Sequence, residues 1–168
     1  MELSTRWLRP TLVVSVSAIG PYEETVAEAW HHLRTLLLAQ GARESCRPIF
    51  ALLQDMPHEV RPEARRLQLC AQISNDWRPR LQRVAAVHAF QGGAYLTARH
   101  AGAYENLPNA FSRMYAACSL DMNVTLDGLR PRVLFFDGDP ADVPPEHLTA
   151  ELGLPVLAQP PERPRMTS

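Results

Sequence analysis

Gly92–Phe111, GGAYLTARHAGAYENLPNAF, reads as a strand, a tight turn and the start of a helix. Tyr95 to His100 is short, aromatic and β-branched, and Gly102 breaks it with the backbone freedom that a sharp turn needs. Asn106 is placed to cap a helix, and Pro108 suits a first turn whose amides lack partners anyway. Phe111, Met114, Tyr115 and Cys118 then recur at helical spacing. Thr11–Trp30, TLVVSVSAIGPYEETVAEAW, has the same order. Gly20, Tyr22 and Glu23 return as Gly102, Tyr104 and Glu105, 82 residues later. A second block repeats too: Pro57, Val60, Pro62, Glu63 and Leu69 align with Pro140, Val143, Pro145, Glu146 and Leu152, 83 residues apart. Two blocks at nearly one offset indicate a tandem duplication of a unit of about eighty residues.

The coarse reading follows from that repeat. Strands are expected over 11–18, 47–54, 66–73, 84–90, 95–100, 132–137 and 149–157, and helices over 22–39 and 107–119. Residues 1–10 read as a leader and 11–157 as one domain, with repeats 11–74 and 84–157 joined by a linker 75–83. Residues 158–168 read as a proline-rich disordered tail. The expected fold is α+β: duplicated β-α-β-β units with pseudo-two-fold symmetry, a curved antiparallel sheet, two helices on one face and a central cleft. Small molecules favour such junctions.

The 168 residues can bury a core, and a formal charge of −1 supplies no basic face for nucleic acid. Every one of the 17 basic residues is arginine, which reads as a compositional habit. Cys46, Cys70 and Cys118 are scattered and odd in number, which suits reduced thiols and a cytoplasmic setting. Arg6 and Arg9 before Leu12–Ile19 imitate a weak signal peptide, but the apolar run is short and broken by Ser15 and Ser17. No run approaches the length of a membrane span. The six histidines show no metal-binding spacing, and His31 and His32 diverge around their helix. No G-x-S-x-G elbow is present. No metal, cofactor or catalytic residue is therefore expected.

The pattern GG-x-Y, H-x-G-x-Y-E, helix, strand, D-P, P-E-x-L, strand, P-V resembles the GyrI-like small-molecule-binding domain of AraC- and MerR-type bacterial regulators. GPYEE at Gly20–Glu24, Ala29-Trp30 with Leu33, and Asp55–Pro57 carry it in the first repeat. The resemblance implies a duplicated fold whose cleft takes hydrophobic compounds, often aromatic or cationic. Only ten residues precede the first expected strand, so the chain is similar to the stand-alone branch. That branch includes gyrase modulators, drug-sequestering proteins and hydrolases of strained cyclopropane rings. The family's cleft glutamate aligns with Leu134, its nearby tyrosine with Phe136, and a second tyrosine with Gly153. Loss of the acid implies an apolar site and weighs against the hydrolase; Glu105 or Asp137 would have to replace it.

By strand period, Leu134 and Phe136 share a face with Arg132, while Val133 and Phe135 are expected under the helices. The expected cleft residues are Trp30, Ala51, Leu53, Tyr95, Phe111, Tyr115, Leu134 and Phe136, with ordinary core packing as the alternative for each. Tyr22 and Tyr104 read as turn-fixing tyrosines or cleft rims. The leading expectation is a sensor or sequestering protein for a hydrophobic or aromatic molecule, without nucleic-acid or membrane binding. A hydrolase of electrophilic natural products and a module binding a topoisomerase or regulator are the alternatives.

Overall fold

The two glycine turns are pinned in the same way. Gly20 and Gly102 both take positive φ, and each donates its N–H to the residue just before or at the head of the repeat's last strand: Gly20 to Arg65 O at 2.9 Å, Gly102 to Leu148 O at 2.8 Å. The structure, a computed structural model, describes residues 1–120 and 123–157. Among these, eight strands form one antiparallel sheet: β1 (Ser4–Leu8), β2 (Thr11–Ile19), β3 (Ile49–Leu53), β4 (Arg66–Ile73), β5 (Ala86–Phe90), β6 (Gly93–Ala101), β7 (Arg132–Phe136) and β8 (Thr149–Pro155). Their order is β1-β6-β8-β7-β3-β4-β2-β5.

Helix α1 (Tyr22–Ala39) buries Tyr22, Val26, Ala29, Trp30, Leu33 and Leu37 along one stripe. Helix α3 (Leu107–Leu120) buries Leu107, Ala110, Phe111, Met114 and Cys118. Both stripes join Ala51, Leu53 and Leu134 in the main core, so the helices share one face of the sheet. The 3₁₀ turn Tyr104–Asn106 leads into α3. Asn106 sits inside it, donating its N–H to Ala103 O, rather than capping the helix as its side chain suggested.

The leader reading needs correction. Residues 4–8 are β1, an edge strand paired along β6 of the other repeat. In return β5 pairs with β2 of the first repeat. Each repeat therefore lends its first strand to its partner. The segment 75–83 also packs: a 3₁₀ turn and helix α2 (Arg78–Leu81) bring Leu81 fully into the core. The expected tail lies outside the described residues.

The sheet is strongly curled. Leu8 and Phe90, from opposite ends of the strand order, meet in a second core with Val13, Phe50, Tyr95 and Val133. Gly92 lies in the β5–β6 turn at φ +65°, where any Cβ would strike the backbone of Leu8, Arg9 and Pro10. Only glycine lets the two crossing turns touch. The second core also corrects the expectation for β7: Val133 and Phe135 lie on this face, away from the helices. The helices lie over Leu134 and Phe136 instead.

Candidate functional site

The repeats meet where β3 runs antiparallel to β7. An offset of 83 residues carries Ala51 onto Leu134, and the same two residues face each other in the ladder. The pseudo-dyad therefore passes between them. Ala51, Leu53, Phe111 and Leu134 are completely buried there. They are the packed floor beneath the helices rather than walls open to a ligand. Tyr95, also expected in the cleft, is on the opposite face. Its hydroxyl donates to Pro131 O at 2.9 Å and the Arg130 guanidinium lies 5.1 Å over its ring. Burial pushes the Tyr95 phenol up to about 12, so it stays neutral. Gly153 beneath it explains the orientation, since a Cβ there would collide with Val133 and crowd the ring.

Two openings flank the packed centre, related by the pseudo-dyad. The larger, about 590 Å³, has an apolar wall of Trp30 and Leu37 from α1, Ile49 from β3 and Phe136 from β7. Its polar rim is Arg34, Arg43, Arg47, Asp139 and Asp142. Trp30 and Phe136 meet edge to face, with centroids 5.5 Å apart and planes at 81°. Tyr104 supports Phe136 from behind at 5.8 Å. The indole Nε1 of Trp30 is buried without a hydrogen-bond acceptor. Arg34 forms an ion pair with Asp139, joining α1 of one repeat to the 3₁₀ turn Pro140–Asp142 of the other.

The smaller opening, about 250 Å³, is lined by Met56, Glu59, Tyr115 and Arg132 among others. The duplicated positions explain the difference. Along the helices Trp30 matches Phe111, 81 residues on, so Arg34 becomes Tyr115; at 83 residues Asp139 becomes Met56 and Ile49 becomes Arg132. Tyr115 packs against His58, with ring centroids 5.7 Å apart and planes tilted by 51°, and fills space that is open on the other side. Of the eight expected residues, the structure thus brings Trp30 and Phe136 together at the larger opening and assigns Tyr115 to the smaller.

The arginines on the rim were missed by sequence reading. Residues 42–47 have no periodicity to read. The structure shows their logic: Ala42 and Cys46 are fully buried anchors, tied by Cys46 N–H to Ala42 O at 3.1 Å, and an arginine follows each. Neither acid a hydrolase would draw on lines the larger opening. Asp137 accepts bonds from Arg99 and Thr149, which hold its carboxyl below the usual range. Glu105 is exposed. Among the described residues no cluster of three or more His, Cys, Asp or Glu could hold a metal ion. No helix among them is long and apolar enough to cross a membrane.

Comparison with known proteins agrees with the fold. The family profile described as the GyrI-like small molecule binding domain matches residues 1–157. The EcmrR C-terminal domain superposes with a TM-score of 0.66 at 14% identity, covering 94% of this chain and 98% of that one. SAV2435, solved bound to tetraphenylphosphonium, gives 0.62 at 13%, covering 94% of each chain. A hydrolase from Listeria innocua gives 0.61 at 14%, covering 93% and 92%. At such identities these likenesses concern the fold alone. A comparison with curated protein sequences finds no match.

Proposed function

We propose that this chain, which belongs to the GyrI-like small molecule binding domain family, binds an aromatic or hydrophobic small molecule in the larger opening between its repeats. One observation carries this reading: an aromatic-walled opening of about 590 Å³, built from α1 of one repeat and β7 of the other. That volume lies within the roughly 300–1,000 Å³ typical of small-molecule sites. A planar ligand would bury apolar surface against the perpendicular Trp30–Phe136 pair. Binding here needs no bond-making, and the chain acts as a sensor or a sequestering protein. SAV2435, which shares the fold and was solved with the aromatic ion tetraphenylphosphonium bound, supports the class.

The test is a thermal-shift titration with neutral bicyclic aromatics, since a ligand that binds the native state raises its melting temperature. The expected result is a saturable rise that Ile49→Trp, filling the larger opening, abolishes. Leu126→Trp, in the smaller one, should leave the rise in place. A rise that survives Ile49→Trp and is lost with Leu126→Trp would reverse the assignment. Absence of any rise would favour the protein-interaction reading.

A further inference from the structure

We infer that the ligand of the larger opening carries an anionic head group on its aromatic body, and that Arg43 and Arg47 receive it. The inference rests on the binding site proposed above and adds the chemistry of what enters. Of the two carboxylates on the rim, Asp139 is fully engaged. Its Oδ2 pairs with Arg34 and its Oδ1 accepts Ala141 N–H at 2.9 Å. A cationic ligand would have to break those contacts. Asp142 is exposed and has no side-chain partner among the described residues, so it is one available carboxylate against two available arginines.

The cations are differently placed. Arg43 has no ion pair or side-chain hydrogen bond among the described residues. Among the described residues Arg47 meets only Glu44, at 3.6 Å, with both side chains largely exposed. An exposed pair of that kind holds its partners weakly. The turn beneath both arginines is fixed, because Ala42 and Cys46 are buried and bonded to each other. Arginine also presents a planar fork of donors suited to a carboxylate or another oxyanion.

Comparison of the repeats shows that this availability is specific to one of them. Arg47 corresponds to Arg130, 83 residues on. Arg130 is tied to Asp127 and donates to Gly92 O, Ala94 O and Val156 O. The same position is a structural clamp in the second repeat. In the first it stands over an aromatic-walled opening with almost nothing bound to it.

The test compares three probes of one size: 2-naphthoate, 2-naphthamide and a naphthylmethyl trimethylammonium ion. Affinities would be read by isothermal titration at two salt concentrations. The expected result is naphthoate tighter than naphthamide by about five- to tenfold, a gap that narrows with salt. Arg43→Gln with Arg47→Gln should bring the two within about twofold of each other. Equal affinities in the unmodified protein, a preference for the ammonium probe, or a gap unaffected by the double substitution would each overturn the inference while leaving the site itself standing. Failure of all three probes would overturn the site as well.

Discussion

Leu134 and Ala51 occupy the centre of symmetry, and their completely buried side chains decide what kind of site this protein can have. A carboxylate at Leu134 would be a charge in a packed core without a partner, and the leucine removes that cost. The shared face of Leu134 and Phe136 was legible from strand period alone. The face of Tyr95 was harder to read, because Ala94, Tyr95 and Leu96 are all buried and only Thr97 and Arg99, further along β6, mark its polar side. Tyr95 is instead fixed by a distant residue, Gly153, whose missing side chain makes room for the ring. Gly153→Ala should therefore lower stability by about 1–3 kcal/mol through overpacking against Val133 and Tyr95. Chemical denaturation would show it as a lower midpoint with unchanged slope; an unchanged midpoint would contradict the account.

The long helices were legible because one stripe of each is buried and the rest is wet. Both long helices and β2, β3, β4, β7 and β8 fall within a few residues of their expected bounds. β1 escaped because only Leu8 of its five residues is buried, leaving no alternation to detect. Its place in the sheet comes from pairing with β6 across the molecule, which no local pattern encodes. Removal of residues 1–9 should strip the β6 edge of its partner and uncover the second core at Leu8. The expected outcome is a lower melting temperature and association visible by light scattering, as exposed strand edges recruit other chains. A truncated protein that stays monomeric with an unchanged melting temperature would show β1 to be dispensable.

The whole molecule is a duplication that has kept its symmetry in the backbone and lost it in the side chains. Glycine turns, helix stripes and crossed edge strands correspond across the dyad. The two openings do not, because Arg34, Ile49 and Asp139 face Tyr115, Arg132 and Met56 at the matching positions. The duplication and the site's general location were visible in the sequence as two blocks at one offset. Which side stays open was not, since that depends on how Tyr115 packs against His58 and how Arg130 is tied down. In the proposed function ligand enters beside Trp30. The protein has three tryptophans, at 7, 30 and 77. Trp7 is exposed on the edge strand and Trp77 lies against Arg80 in the inter-repeat segment. The most direct measurement is a two-dimensional NMR titration of the three indole N–H resonances with 2-naphthoate, assigned by single Trp→Phe substitutions. The expected result is a saturable shift of Trp30 with Trp7 and Trp77 unmoved. Shifts confined to Trp7 or Trp77, or no shift at saturating probe, would contradict it.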